Sequence, residues 1–264
     1  MDRIILKNNN EIISDVLQTQ FFVVDSNLTN IDVPSNSKIN ILFNNELKDK
    51  EININVARDC EVTFSIIARE NLDNCKININ INKNSHVEGF LADFTKGKEK
   101  FNFTANLLED NAVMNWHLSS LTADIDDKKF DISVNHDVPS TFARMENYGV
   151  CKDNGKLLFA GVSSIKKGSR GSKTHQSSKI MVFDKQSKGI ADPILKIDEN
   201  DIEASHAAVV GKINDDHLYY LTSRGLSEAE AKELITFGYL KPIINGFIEE
   251  NLKEEIASLI EGRM

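Results

Sequence analysis

The chain has 264 residues, and its 31 basic against 40 acidic side chains give a formal net charge of −9 at pH 7. This acidic balance argues against nucleic-acid binding, which usually needs a basic face. No apolar run approaches the ~20 residues of a membrane-spanning helix, and Met1 to Asn10 are too polar for a signal-peptide core. We therefore expect a cytoplasmic protein that contacts neither membrane nor nucleic acid.

The region from Phe21 to Ile197 predicts many short strands. The clearest is Ile77–Asn82, where strict alternation puts every isoleucine on one face of a strand and every asparagine on the other. Between such segments lie Asn, Asp, Lys and Gly, which favour turns. A sandwich and a β-helix explain this pattern equally well, because no fixed hexapeptide period appears.

Three cysteines, Cys60, Cys75 and Cys151, are scattered through the predicted strands and form no CxxC pair. An odd number of isolated thiols fits a reducing compartment. Their spacing supports no metal site, so we expect all three to be buried as small hydrophobic side chains.

Helical signals replace strand signals after Gly211. Asn214 is a good N-cap for a helix from Asp215 to Arg224, and Gly225 supplies a left-handed stop. Arg224 also complements the helix dipole at this end. The chain therefore predicts a first helix directly after its last strand.

Further helices follow to the end of the chain. Ser227 and Glu230 form a capping box for the second helix, which we expect to end at Gly238. Pro242 is tolerable in the first turn of a third helix, and Asn251 is a candidate cap for the last one. We divide the chain into an N-terminal segment (1–20), a β-region (21–211) and a helical subdomain (212–264).

Two segments at the change from strands to helices are the most informative. Ala204–Ala208 reads Ala-Ser-His-Ala-Ala, and Leu218–Gly225 reads Leu-Tyr-Tyr-Leu-Thr-Ser-Arg-Gly. With Leu158–Val162 and His175–Val182 upstream, they resemble, in order and spacing, the SufB/SufD family of iron–sulfur cluster assembly scaffold proteins. The resemblance is good from about Leu158 to Phe247, and before Ala143 it is limited to the general character of the sequence.

This resemblance implies a right-handed parallel β-helix followed by a small C-terminal all-α subdomain. It implies a non-enzymatic scaffold that dimerises through the β-helix and binds SufC, an ATPase of ABC type, through its C-terminal helices. A nascent cluster would be held transiently with a partner, and no cofactor would be permanently bound. The family's N-terminal helical domain is expected to be reduced or absent.

His206 matches the functional histidine of the family and is our candidate for cluster assembly and for metal ligation. Imidazole suits iron as a ligand, and its pKa near neutrality also suits proton transfer. Glu203 flanks the motif and is a candidate for orienting the ring. The alternative is a structural histidine that is buried and hydrogen-bonded at the end of the β-helix.

The chain departs from the SufB-type pattern at two positions. SufB-type scaffolds have a cysteine in the strand where Ser177 stands here, and a glutamate where Ala207 stands. Many SufD-type members keep a cysteine at the position of Ala204. Because iron–sulfur clusters select soft thiolates, we interpret this chain as a SufD-type partner that contributes at most His206. A SufB-type subunit would supply the thiolates.

The helical subdomain carries the residues that we expect to face the ATPase. They are Tyr219, Tyr220, Leu221, Arg224, Phe237 and Leu240.

Two other functions stay open from the residues. The first is a stand-alone homodimeric scaffold, with His206 from both chains and a cysteine such as Cys151 nearby. The second is a glycan-binding or glycan-active β-helix, which needs clustered carboxylates or basic residues on the solenoid face. No paired acidic motif on adjacent strands supports the second function.

Overall fold

The computed structural model describes residues 3–6, 11–12, 20–24, 29–44 and 46–264. Within these residues the chain forms seventeen strands and then a group of helices. The strands are β1 (Arg3–Leu6), β2 (Glu11–Ile12), β3 (Gln20–Val24), β4 (Asn30–Val33), β5 (Lys38–Phe43), β6 (Glu51–Val56), β7 (Glu61–Ala68), β8 (Cys75–Ile81), β9 (His86–Asp93), β10 (Lys98–Leu107), β11 (Val113–Thr122), β12 (Asp127–His136), β13 (Phe142–Cys151), β14 (Lys156–Ile165), β15 (Ser172–Val182), β16 (Lys188–Ile197) and β17 (Ile202–Lys212). The helices are α1 (Asp215–Ser223), α2 (Glu228–Leu240), a 3-10 helix (Lys241–Gly246) and α3 (Glu250–Glu261).

Successive strands alternate between two sheets. Odd-numbered strands form one sheet of nine strands, even-numbered strands form another of eight, and neighbouring strands run parallel. Each coil of the chain therefore contributes one strand to each sheet, which is the architecture of a parallel β-helix. The predicted fold class is confirmed, and the sandwich is excluded because sandwiches are built from antiparallel sheets.

The coils lengthen steadily along the chain. One turn of each coil contains a residue with positive φ, and these residues stack on one another; they are Asn36, Asp59, Asn84, Asn111, Ser140 and Gly171. Their successive separations are 23, 25, 27, 29 and 31 residues. When a coil is longer than the previous one by two residues, the alternation of inward and outward side chains is kept, since the side-chain period of a strand is two. The solenoid thus widens toward its C-terminal end without a fixed sequence period.

The interior of the solenoid is mainly apolar. Aromatic rings from successive coils stack there, with 4.2 Å between the ring centroids of Phe103 and Trp116 and 6.0 Å between those of Phe64 and Phe103. The isoleucines of β8 are fully buried among them. The inward side chains of each strand thus pack against those of the neighbouring coils, and together they form the core.

An amide ladder crosses the outer face of the eight-stranded sheet. Asn55 donates to Asp32 at 2.7 Å, Asn80 to Asn55 at 2.9 Å, Asn106 to Asn80 at 2.9 Å, and Asn135 to Asn106 at 2.9 Å. The asparagines of the Ile–Asn alternation therefore do form a ladder. Each rung joins two neighbouring coils.

We expect Asn80→Asp to lower the free energy of unfolding by about 1–3 kcal/mol, because the carboxylate loses the donor that satisfies Asn55. Asn102→Asp is a control in the same sheet, since the Asn102 side chain is half-buried but is no rung of this ladder. The control should cost less than about 0.5 kcal/mol. Urea unfolding at pH 7 measures the free energy of unfolding of both variants. Equal losses in the two would contradict a stabilising role of the ladder.

His136 and Glu99 are two of the buried titratable side chains of the solenoid. His136 is 0% exposed; its Nδ1 lies 2.7 Å from Thr141 Oγ1, and burial lowers its pKa to about 4. Glu99 is 2% exposed, and burial together with the charge of Asp93 raises its pKa to about 8. Both groups are therefore neutral in the folded protein near pH 7.

These two groups give stability opposite dependences on pH. His136 has a folded pKa below its unfolded value, so stability is lost as pH falls from 6.5 toward 4, by up to about 3 kcal/mol. Glu99 has a raised folded pKa, so stability is lost as pH rises from 4.5 toward 8. Urea unfolding across this range should show the acid loss reduced in His136→Gln and the alkaline loss reduced in Glu99→Gln. Slopes unchanged from the parent would contradict this assignment.

The helical subdomain packs on the outer face of the nine-stranded sheet. A second apolar cluster joins helix residues such as Ile243, Ile256 and Ile260 to strand residues such as Ile67 and Leu121. Ion pairs reinforce the contact: Arg263 pairs with Asp126, both nearly buried, and Arg69 Nε lies 2.5 Å from Glu255 Oε1. Helices α2 and α3, the 3-10 helix and the outer face of the sheet therefore share this second apolar cluster, which is separate from the solenoid interior.

The predicted start and stop signals of the first helix and the start signal of the second are confirmed. The Asn214 side chain accepts from the backbone N–H groups of Asp216 and His217, and Gly225 has a φ of 101°. Ser227 and Glu230 form the expected capping box at the start of α2.

Two helix boundaries differ from the prediction. The expectation that Gly238 ends α2 is wrong, because the helix continues to Leu240, whose burial outweighs the weak helix propensity of glycine. The third helix predicted at Pro242 is the 3-10 helix. The cap predicted at Asn251 is also wrong, since α3 starts one residue earlier, after Glu249 in extended conformation.

Candidate functional site

His206 lies in the middle of β17, the last strand of the nine-stranded sheet, opposite Gln176 of β15. Because Gln176 and its alternate neighbours are buried in the solenoid, the pleat turns His206 toward the same interior. No further described coil covers β17, so His206 is exposed, and no described residue bonds to its ring. The alternative of a buried, hydrogen-bonded structural histidine is therefore wrong.

The inner wall next to His206 is polar. Gln176 Nε2 lies 2.8 Å from Ser163 Oγ and 3.1 Å from the Ile194 carbonyl, and Thr174 Oγ1 lies 2.8 Å from the same serine. A Cβ on Gly161 would lie 2.5 Å from Gln176 Oε1, so this glycine makes room for the amide. The core thus changes from apolar to hydrogen-bonded in the last coils, where the solenoid is widest.

Two neighbours proposed from the sequence face away from His206. Glu203 points outward and pairs with Lys173 at 2.6 Å, so the hypothesis that Glu203 orients the imidazole is wrong. Ser177 also faces outward, beside Ala207, on the side of the sheet opposite His206. Gln176, which the sequence did not single out, is the cross-strand neighbour instead.

The cysteines lie away from His206 and are buried. Burial raises the pKa of Cys75 to about 12 and that of Cys151 to about 11, and it also raises the pKa of Cys60. Cys151 lies in the same register row as Lys212 of β17. Lys212 is six positions from His206, so this row is ~20 Å from His206 along the strand. In this fold Cys151 therefore cannot serve a homodimeric site around His206.

A single imidazole can act as one ligand or as a proton acceptor. Among the described residues, no group of three or more His, Cys, Asp or Glu side chains is arranged to hold a metal ion. The groups that the chain offers at this end are His206 and the amide and hydroxyls around Gln176. A site with several ligands here would need side chains from elsewhere.

The two sheets both end next to His206. β16 has ten residues and β17 has eleven, and each is the terminal strand of its sheet. In the described chain their outer N–H and C=O groups have no strand partner, which makes them templates for pairing with another chain. His206 therefore lies at a wide, open end with two free edges.

Helix α1 presents an exposed aromatic surface. Tyr219 is 76% exposed and Tyr220 is 57% exposed, and no residue of α1 is buried. The Arg224 guanidinium lies 5.3 Å from the centre of the Tyr220 ring, so it stacks on this surface. Leu221 is half-buried. The predicted partner residues of α1 thus form one surface that a partner protein can reach.

The two predicted partner residues of α2 differ in accessibility. Phe237 is half-buried against the second apolar cluster. Leu240 is 0% exposed, and its carbonyl accepts from Ser119 Oγ at 3.3 Å. The prediction that Leu240 faces a partner is therefore corrected, because this side chain holds α2 against the solenoid.

A glycan-cleaving site also needs a carboxylic acid that donates a proton. Glu88 and Glu146 lie on either side of His117 on the outer sheet face, at 3.2 and 3.4 Å. Burial alone would raise the pKa of Glu88, but hydrogen bonds from His117, His86 and Asn115 hold it at about 2. Glu88 is therefore ionised near neutral pH, which disfavours the glycan-active alternative.

Comparison with known proteins agrees with these features. The family described as "SUF system FeS cluster assembly, SufBD core domain" matches residues 18–239. The chain belongs to this family. Members of the SufBD core family are assembly proteins for iron–sulfur clusters, as its description states.

Several curated relatives share part of the sequence. The SufD protein of Bacillus subtilis is 38% identical over 117 residues, which cover 44% of this chain and 27% of the relative. A SufBD family protein of Staphylococcus saprophyticus is 29% identical over 107 residues, covering 40% and 23%. One from Mycobacterium tuberculosis is 31% identical over 108 residues, covering 41% and 13%. The matched part of this SufBD chain thus spans about a quarter or less of each relative's length.

The polar wall could have been found from the sequence of β15. Ser172, Thr174, Gln176 and Ser178 alternate along this strand, so one face of it is polar until Ile180. On an outer face this pattern is ordinary, and only the register shows that it points inward.

In the described residues, no helix is long and apolar enough to span a bilayer.

Proposed function

We propose that this SufBD family chain is a SufD-like, non-enzymatic scaffold subunit of the SUF complex. It would pair through its β-helix with a SufB-type scaffold, bind a SufC-type ATPase through its helices, and help to hold a transient iron–sulfur cluster in the cytoplasm. The cluster is cargo in this proposal, and the chain keeps no permanent cofactor. Neither nucleic acid nor membrane takes part.

The placement of His206 is the observation that carries this proposal. The ring lies at an open end between two unpaired strand edges, beside a polar wall, and no described residue bonds to it. Its own chain offers only buried cysteines of raised pKa. A cluster selects thiolates, so a second chain must supply them.

The free edges of β16 and β17 are suited to receive that second chain. Strand addition along an eleven-residue edge forms a continuous row of backbone hydrogen bonds over about 36 Å. A SufB-type partner brings the missing thiolates to His206. A second copy of this chain would bring another histidine but no accessible thiol, which favours the SufB-type partner.

The surface of α1 is suited to the ATPase. Exposed tyrosines with a stacked arginine are typical of residues that dominate binding energy. Tyr219, Tyr220 and Arg224 supply this combination, and Phe237 lies in the helix that follows. Because α1 buries none of its residues, losing these side chains should leave the solenoid intact.

Co-expression with the ATPase and SufB-like proteins of the same genome, followed by anaerobic purification and light scattering, tests the proposal. We expect a stable ternary complex. Tyr219→Ala with Tyr220→Ala should release the ATPase and keep the scaffold pair, whereas Ile125→Ala, which removes an 86% exposed side chain from a distant turn, should change nothing. An isolated homodimer that takes up iron and sulfide would overturn the proposal in favour of a stand-alone scaffold.

A further inference from the structure

A shallow basin lies on the outer face of the nine-stranded sheet, on the side opposite His206. It has a volume of about 260 Å³ and crosses β13, β15 and β17. The side chains that line it include Arg144, Glu146, His175, Ser177 and Ser205. Arg144, His175 and Ser205 occupy one register row across the three strands, so they stand side by side about 4.8 Å apart.

Arg144 is a cation without a counter-charge. Glu146 lies two residues further along the same face, but its carboxylate is 3.4 Å from His117 Nδ1 on the neighbouring strand. Lys173, one row away, is already paired with Glu203 at 2.6 Å. Among the described residues no ion pair or hydrogen bond forms at the Arg144 guanidinium, which lines the basin and carries five N–H donors.

His175 and Ser177 add donors beside this guanidinium. His175 Nδ1 lies 2.8 Å from Ser205 Oγ, and when the serine donates, the ring proton is on Nε2. The Phe142 ring lies against the imidazole, with centroids 5.9 Å apart, and helps to fix its orientation. The Ser177 hydroxyl is half-buried in the basin and bonds to no described residue.

We propose that this basin binds a small oxyanion, either a phosphate or a carboxylate group. Arg144 is the bidentate anchor, because a guanidinium fork matches two oxygens of such a group. His175 and Ser177 supply further donors from the neighbouring strand. Glu146 also lines the basin, but its carboxylate lies against His117 Nδ1 at 3.4 Å. This site is separate from the scaffold role and does not depend on it.

Calorimetric titration of the isolated chain with inorganic phosphate, at constant ionic strength and with sodium acetate as a second arm, tests the proposal. Arg144→Gln should weaken phosphate binding by about tenfold or more, since hydrogen bonds between charged groups are lost. Arg170→Gln is the matched control, because it removes an equal charge from an exposed turn outside the basin, and it should change affinity less than about twofold.

Each outcome of this titration bears on the proposal. Saturable binding of phosphate alone supports a tetrahedral oxyanion, and binding of both probes supports a carboxylate-tolerant site. No saturable heat with either probe, or equal losses in the two arginine variants, would overturn it. Ser177→Ala gives a second test that keeps the charge, with a weaker but measurable loss expected. Thermal unfolding shows that the variants are folded, and no partner is needed, so failure of the scaffold proposal leaves this test unaffected.

Discussion

Replacing Lys128 by alanine is expected to destabilise the protein by about 3–5 kcal/mol, because it leaves the Asp93 carboxylate buried without its counter-charge. The Lys128 ammonium lies 2.5 Å from Asp93 Oδ2, and both side chains are 0% exposed. Burial opposes the ionisation of Asp93, yet the ion pair holds its pKa below the usual value. Removing the cation therefore makes the charged carboxylate costly inside the solenoid.

The surrounding hydrogen bonds show how the buried pair is tolerated. Asp93 accepts from Thr95 Oγ1 at 2.7 Å and from Ser120 Oγ at 2.8 Å, and Lys128 also donates to Thr95 at 3.1 Å. Glu99 joins the network as a neutral acid near pH 7, because burial raises its pKa to about 8. One ammonium and one carboxylate thus balance in charge, and truncating either leaves the other uncompensated.

Lys129→Ala is the matched control for this prediction. Lys129 is the next residue of the same strand, but its side chain is 41% exposed and lies 3.0 Å from Asp131. An exposed pair of this kind contributes about 0–1 kcal/mol. Urea unfolding at pH 7 measures both variants, and combining Lys128→Met with Asp93→Asn should recover much of the loss. A loss for Lys128→Ala no larger than that for Lys129→Ala would contradict the buried-pair argument.

The local elements were predictable because their signals are local. Alternation over Ile77–Asn82 defines one strand and its buried face, and Asn214, Gly225 and Ser227 mark helix ends by hydrogen bonds within a few residues. Which strands pair is decided by contacts between residues 18 or more positions apart. The coils also differ in length and become longer along the chain, so a search for one fixed period finds nothing. Only the resemblance favoured the β-helix.

The site likewise combines features that local sequence predicts with features that only long-range contacts decide. The motif identified His206, but its neighbours depend on the register between β15 and β17, across a separation of 30 residues. Lys128 stands beside a second lysine in a charged segment, and nothing local distinguishes the buried residue from the exposed one. Leu240 looked like part of an aromatic partner surface, and its burial is decided by how α2 packs on the solenoid.

His206→Asn is expected to lower the cluster content of the purified scaffold complex by about tenfold or more, within the range for groups that support a metal site. Complex assembly should be unchanged, because the His206 ring is exposed and bonds to no described residue. Iron and sulfide per complex after anaerobic reconstitution measure the loss. His175→Asn, on the opposite face of the neighbouring strand, is the matched control and should keep its cluster.

A third variant separates the two roles that an imidazole can have. If His206 ligates iron, His206→Cys should retain the cluster and change its absorption spectrum, since thiolate is the ligand that iron–sulfur clusters prefer. If His206 moves a proton, the cysteine should fail as the asparagine does, because neither side chain replaces the imidazole as a proton carrier. Full cluster content in His206→Asn would remove His206 from both roles, and the shared site would then have to lie elsewhere along the two free edges.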